Sequence, residues 1–130
     1  MSNLTEARNT PALLGPMCYV RRVAAGSTVF AGGLTAQSAD GTVKPAGDAA
    51  GLIVLGRAEN TASAGEELRI TTGLFIYDNG AGAEALDLAD IGNPCYALDD
   101  HTVGAAGGTN KVKAGIVRDI TPEGVIVEIN

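Results

Sequence analysis

The sequence is poor in aromatic residues and in the residue types on which most metal sites rely. Of its 130 residues, three are Tyr, two are Phe and none is Trp, and it has one His and two Cys. A carbohydrate-binding surface needs exposed aromatic platforms, which this chain can hardly supply. One His and two distant Cys, Cys18 and Cys95, cannot form an ordinary structural zinc site. We expect neither a metal nor a cofactor.

Positive charge and long apolar runs are also scarce. The chain has 9 Lys and Arg against 15 Asp and Glu, which gives a net charge of −6. Because phosphate binding needs clustered basic side chains, we expect no nucleic-acid partner. The longest apolar stretch, residues 52–55, is far shorter than the ~18–20 residues of a membrane span. The polar start of the chain lacks the order of a signal peptide. We therefore expect no membrane association.

What the chain does contain is a globular composition rich in glycine. Its mean hydropathy is +0.15, which is too apolar for a disordered chain. Gly contributes 18 residues, about twice the usual ~7%. The length favours a single domain with a real core. The two cysteines are far apart and form no Cys-x-x-Cys pair, so we expect free, buried thiols in a reducing compartment.

Short strands separated by Gly-rich turns dominate the sequence from residue 17. Residues 67–71 alternate with period two, and Val125, Val127 and Ile129 lie on one face of a final hairpin. Such strands, with turn signals every ~8–12 residues, predict an all-β fold, either a small barrel or a sandwich. The pattern does not separate the two. The predicted strands are residues 17–23, 28–30, 34–36, 42–44, 51–58, 67–71, 74–77, 95–98, 102–103, 113–120 and 125–129.

Two further segments complete the organisation. Residues 83–91 are the one helix candidate, with a stop at Gly92. Residues 1–16 differ from the rest, because Pro11 and Pro16 favour extended backbone at the positions before them. We therefore divide the chain into an extended N-terminal arm, residues 1–16, and one β domain, residues 17–130.

Two glycine motifs resemble nucleotide-binding loops. Residues 80–85 match G-x-G-x-x-A, with Asp99 and Asp100 about twenty residues further on. The helix that follows is too short, and no second βα unit is present, so a turn is favoured. Residues 104–111 resemble a phosphate-binding loop, but Asn110 replaces the glycine before Lys111 and no hydroxyl residue follows. An ordinary loop is favoured there as well.

Two groups of polar residues suggest chemistry only weakly. Cys95, Asp99 and His101 could be drawn as nucleophile, orienting group and base, but they share one strand and turn, whereas catalytic partners normally come from separate elements. Four acidic residues lack the spacing of a calcium loop, and solvated turn positions are favoured for them. These are Asp87, Asp90, Asp99 and Asp100. We expect no catalytic residue and no enzyme activity.

Several segments resemble the head decoration, or cement, proteins of tailed bacteriophages and prophages. The most specific is residues 89–103, which read Ala-Asp-Ile-Gly-Asn-Pro-Cys-Tyr-Ala-Leu-Asp-Asp-His-Thr-Val. The others are residues 4–10, 23–34, 51–59, 114–120 and 124–129. These are structural signatures rather than catalytic ones.

The resemblance implies a protein of the virion, made in the bacterial host cytoplasm, that binds the outer surface of the capsid. It implies that the protein clamps neighbouring major capsid subunits, and that it forms a homotrimer, with a dimer as the alternative. It also implies that the arm adds a strand to the capsid surface. The expected arm contacts are Leu4, Thr5, Ala7, Thr10, Pro11, Leu13 and Leu14. Tyr19, Arg21 and Arg22 are candidates for a face that meets the capsid or another copy.

Other functions stay open at this point. The chain could be a head–tail joining, tail or fibre-base component of the virion. It could also be a carbohydrate-binding surface module, or a small hydrolase built on Cys95 and His101.

Overall fold

The strands predicted from residue 17 onward are present in a computed structural model that describes residues 2–3, 5–9 and 17–130. The all-β prediction is confirmed. The strands are β1 (Cys18–Arg22), β2 (Thr28–Val29), β3 (Leu34–Gln37), β4 (Val43–Pro45), β5 (Ile53–Ala58), β6 (Ala62–Ser63), β7 (Glu67–Thr71), β8 (Gly73–Asn79), β9 (Pro94–Ala97), β10 (Thr102–Gly104), β11 (Lys113–Thr121) and β12 (Gly124–Ile129).

The first half of the chain forms an antiparallel sheet in the order β1-β7-β5-β3-β4. Period-two alternation in β7 buries Leu68 and Ile70 on one face, as the sequence predicted. The two ends of the sheet approach each other, because Val23 forms a parallel bridge with Val43 and the Ala24 N–H donates to the Val43 carbonyl at 2.8 Å. The curled sheet surrounds its own core. That core consists of Val23, Val29, Val43, Leu55, Ala58, Ala62, Leu68 and Ile70.

The second half forms a closed barrel in the order β10-β8-β12-β11-β9, which decides between the barrel and the sandwich. The final hairpin directs Val125, Val127 and Ile129 into the barrel core, as predicted. Closure depends on a short parallel pairing in which Thr102 lies beside Asp78 and Val103 beside Asn79.

The barrel and the first sheet pack against each other. Leu34, Ala36 and Ala46 come from the first half of the chain but belong to the barrel core. The Arg57 guanidinium of β5 also lies 4.4 Å from the centre of the Phe75 ring in β8, a favourable cation–π geometry. The two β units are therefore joined by shared apolar burial rather than by the β7–β8 connection alone.

The helix candidate of one or two turns over residues 83–91 forms short helical turns rather than an α-helix. That stretch contains two three-residue 3₁₀ turns, Gly82–Glu84 and Leu88–Asp90, separated by extended backbone at Ala85 and Asp87. Asp87 ends any continuous helix because it caps the second turn, where the Ala89 N–H donates to its carboxylate at 2.9 Å.

Strand β8 also runs further than predicted, because Asn79 holds its end in place. The Asn79 side-chain amide donates to the Leu86 carbonyl at 2.8 Å, and the Leu86 N–H donates to the Asn79 side-chain oxygen at 2.8 Å. The asparagine thus pairs with the chain as a neighbouring peptide unit would. The two-residue strand β6 was missed, since it is too short to show a period.

We expect Gly56→Ala to destabilise the protein, whereas Gly47→Ala has little effect. A Cβ at Gly56 would lie 2.7 Å from the Thr71 carbonyl carbon and closer still to its oxygen, while at Gly47 the nearest atom is 3.9 Å away. Overpacking of this kind costs about 1–3 kcal/mol. Urea unfolding of both variants measures the difference. Equal stability of the two variants would contradict the packing described for β5 against β7.

Candidate functional site: an apolar face of the barrel

Most of the expected arm contacts lie outside the described residues. Thr5 and Ala7 are described, and both are exposed. Their role in binding therefore stays a prediction. The expected contacts outside the described residues are Leu4, Thr10, Pro11, Leu13 and Leu14.

Strand β1 holds the other three expected contacts, and they differ in their surroundings. Tyr19 is half-buried against the core of the first sheet, and the Arg21 guanidinium lies 5.2 Å from its ring centre. Arg21 also donates to the Gln37 side chain at 2.8 Å, so this residue is engaged within its own chain. Arg22 is exposed, and its guanidinium donates to the Gly65 carbonyl at 3.2 Å. Whether any of the three meets another protein stays a prediction.

One side of the barrel presents apolar side chains to the outside. Because β12 turns its odd-numbered residues inward, Ile126 points outward and lies opposite Ile76 of β8. Leu74 lies on the same side of β8; it is 63% exposed, and Ile76 is 54% exposed. On β11, Ile116 faces outward beside Glu128. We call Leu74, Ile76, Ile116 and Ile126 the apolar barrel face.

Two shallow grooves extend the apolar barrel face where the chain ends. One groove is lined by Met17, Leu74 and Ile129 among others, and the second by Ile53 and Ile116 among others. Met17 and Ile53 are 47% and 65% exposed. The grooves share Glu128, Ile129 and Asn130. They therefore extend the apolar barrel face along the margins of the barrel, with polar groups among the apolar ones.

The acidic side chain between Leu74 and Ile116 is paired with a basic one. Arg118 donates to Glu128 at 2.6 Å, and both side chains are partly exposed. Such a surface ion pair contributes little stability. It does, however, mean that the Glu128 carboxylate, which lies between Leu74 and Ile116 on the neighbouring strands, is not unpaired. Contiguous exposed apolar surface is uncommon on monomeric proteins and is a feature of interaction sites.

The sequence signals this face by strands that are apolar at consecutive rather than alternate positions. Residues 125–129 read Val-Ile-Val-Glu-Ile, so four of five positions are apolar although only alternate positions face the core. A strand that is apolar on both faces is typical of strands covered on both sides. Residues 74–77, Leu-Phe-Ile-Tyr, show the same pattern.

Comparison with protein-family models, with curated proteins and with solved structures finds no match for this chain. Among the described residues, no helix has both the length and the apolar character to cross a membrane.

Cys95, Asp99 and His101 do not form a hydrogen-bonded triad. Cys95 is fully buried in the barrel core, and burial raises the pKa of its thiol to about 11. His101 is exposed, and its Nδ1 lies 2.9 Å from Asp100 and 3.1 Å from Asp99. The hydrogen bond to Asp100, with the charge of Asp99, raises the pKa of His101. The ring is thus engaged with carboxylates on its own turn, and a thiol with so high a pKa is a poor nucleophile.

The acidic residues fall into two separate groups. Asp87 and Asp90 cap a 3₁₀ turn, since the Asp87 N–H donates to Asp90 at 2.9 Å. Asp99, Asp100 and His101 bring one ligand atom each to within 4.8 Å of one another, but all three side chains are partly or fully exposed. A cluster of exposed groups on one turn is common without an ion.

Both glycine motifs are turns, as favoured from the sequence. The segment after Gly80 holds only the turn Gly82–Glu84, which is too short to be the helix of a dinucleotide-binding unit. In residues 104–111, the backbone N–H groups that could face a phosphate already donate to Glu84 and Asp48.

The expectation that both cysteines are buried is wrong for Cys18. Both thiols are free, but Cys18 is exposed on the first strand while Cys95 is buried. The strand pattern could not show this, because residue 18 begins an edge strand that pairs with β7 alone in the described sheet.

We expect a thiol reagent at about pH 8 to modify one thiol per folded chain and two per unfolded chain. Cys18 is accessible, while burial and the raised pKa of Cys95 slow its reaction. Absorbance titration with and without denaturant gives both numbers. In the same assay, Cys18→Ser should leave no fast thiol and Cys95→Ser should leave one. Fast modification of Cys95 in the folded chain would contradict its burial.

Proposed function

We propose that the protein is a structural decoration protein, which binds the outer surface of a phage head and clamps neighbouring major capsid subunits. The observation that carries the proposal is the apolar barrel face, a contact surface on a closed barrel. The similarity of residues 89–103 and of the other segments to head decoration proteins supports the same function and names the partner.

The chemistry of the surface fits a protein partner. Leu74 and Ile76 are more than half exposed, so covering them removes apolar surface from water at about 25 cal/mol per Å². The net charge of −6 disfavours nucleic acid. Because Arg118 and Glu128 are paired with each other on this face, a partner that covers them does not bury an unpaired charge.

The architecture fits repeated, static contact. A closed barrel offers a rigid surface, since each of its strands has two neighbours. Weak contacts add up when the linked copies of an oligomer bind a symmetric shell. The first contact raises the effective concentration of the other copies at their own sites. Among the described strands, β1 pairs with β7 alone, so its other edge presents backbone groups to which a further strand can add.

We expect hundreds of copies of the chain on each purified head of the phage or prophage that encodes it. A clamp must match the number of capsid subunits or of symmetry positions, whereas a head–tail joining or tail component is present in about a dozen copies. Quantitative mass spectrometry of particles measures the number. About a dozen copies would move the protein to the neck or tail, and absence from particles would overturn the proposal.

We expect Leu74→Asp to weaken binding to undecorated heads at least about tenfold, since one charge must be desolvated in an apolar contact. Phe30→Asp is the matched control, because Phe30 is also 63% exposed but lies on the turn between β2 and β3, outside the apolar barrel face. Co-sedimentation with heads measures binding, and thermal melting checks that both variants fold.

Three outcomes are informative. Loss of binding in Leu74→Asp alone supports the face as the capsid contact. If Leu74→Asp binds heads as tightly as the control Phe30→Asp does, the face is not the capsid contact. If gel filtration shows that Leu74→Asp separates an oligomer into monomers while each monomer still binds heads, the face joins copies of this chain instead.

A further inference from the structure

The loop of residues 105–110, between β10 and β11, is held by two side chains that come from other parts of the chain. Glu84 accepts from the backbone N–H groups of residues 106, 107 and 108 at 2.8, 2.9 and 3.0 Å. Asp48 accepts from those of residues 109 and 110 at 3.0 and 2.8 Å. Five successive backbone donors therefore end on two carboxylates.

All four carboxylate oxygens take part. Oε1 of Glu84 accepts two N–H groups and Oε2 accepts one. Oδ1 of Asp48 accepts the N–H and the side-chain amide of Asn110, and Oδ2 accepts the Thr109 N–H. A proton on any of these oxygens would point a donor at another donor. The arrangement therefore requires both groups to be ionised.

The glycines of the loop leave room for the carboxylates. A Cβ at Gly108 would lie 2.8 Å from the Asp48 carboxyl carbon, and one at Gly104 would lie 3.0 Å from the Glu84 Cβ. Gly108 also has φ +60°, which a side chain disfavours. The backbone is thus shaped around these two side chains.

The charges around the loop are few. Among the described residues, no basic nitrogen lies within 4.0 Å of Glu84 or Asp48. The Tyr96 ring lies against Gly107, and Lys111 follows the loop. The negative charge of Asp48 also acts on Glu84, where it raises the pKa and so partly offsets the effect of the hydrogen bonds.

The hydrogen bonds favour the ionised forms. The N–H groups of Gly107 and Gly108 hold the pKa of Glu84 below its usual value, and those of Thr109 and Asn110 do the same for Asp48. A carboxylate with a lowered pKa contributes stability that is complete above its unfolded pKa, about 4. That stability is lost as the pH falls through the lower, folded value.

We propose that Glu84 and Asp48 form an acid-released latch on the loop of residues 105–110. Above about pH 5 both groups are ionised and the loop is closed. Protonation removes the charge and converts an acceptor into a donor, so the loop opens while the barrel strands, held by backbone pairing and apolar burial, stay folded. This local release does not depend on the proposed capsid function.

Hydrogen exchange of the wild-type chain tests the latch directly. We expect protection of the backbone N–H groups of residues 106–110 to fall at least about tenfold between about pH 6 and about pH 3, after correction for intrinsic exchange. Protection of β12 should not change. Unchanged protection of the loop, or loss of protection in the loop and β12 together, would overturn the proposal.

Variants at about pH 6 divide the latch into its two halves. Glu84→Gln should lower protection of residues 106–108, and Asp48→Asn should lower that of residues 109 and 110. Glu123→Gln is the control, because Glu123 lies on the β11–β12 turn and its carboxylate accepts no hydrogen bond from the described residues. Wild-type protection of the loop in both latch variants would show that the charge is not required, and would overturn the proposal.

Discussion

The fold requires hydrogen-bond acceptors for the backbone N–H groups that its short strands leave unpaired. Strands of two to nine residues, most of them six or shorter and joined by many turns, pair fewer of these groups than long strands do. Side chains supply the missing acceptors. Asn79 pairs with Leu86, and Asn60 accepts from Arg69 at 2.9 Å while its amide donates to the Glu67 carbonyl. Asp40 binds both the N–H and the hydroxyl of Thr42 at the tip of the β3–β4 hairpin.

This requirement gives the acidic excess of the chain a structural meaning. The sequence suggested solvated turn positions for four acids, which are partly or fully exposed: Asp87, Asp90, Asp99 and Asp100. Three of the four also accept a backbone N–H group from their own turn, and two acids that the sequence did not single out do so from a distant loop. Asp48 and Glu84 hold one loop, and Asp87 caps a turn. Ionised acceptors make stronger hydrogen bonds than neutral ones. An acidic composition therefore suits a chain whose loops need acceptors, and it makes those loops sensitive to acid where the strands are not.

Local pattern was enough to place most strands, but not to close the barrel. Period two and glycine turns located residues 67–71 and 125–129 because those signals lie within a few residues. Closure depends on the parallel pairing of β8 with β10, which involves two residue pairs and has no local signature. The loop acceptors were equally hidden, since Asp48 lies 61 and 62 residues from its backbone donors. At residues 83–91 the apolar spacing indicates helical turns but not the break between them, which depends on Asp87 as the cap of the second turn.

The apolar barrel face consists of apolar residues at strand positions that point away from the core. In β12, Val125 and Val127 fill the core, so nothing in the described chain requires Ile126 on the opposite side to be apolar. The same holds for Leu74 and Ile76 in β8. Within residues 17–130, no second layer of strands or helices covers that side of the barrel. The described core therefore does not account for apolar residues at these positions, and this is the observation on which the proposed contact with another protein rests.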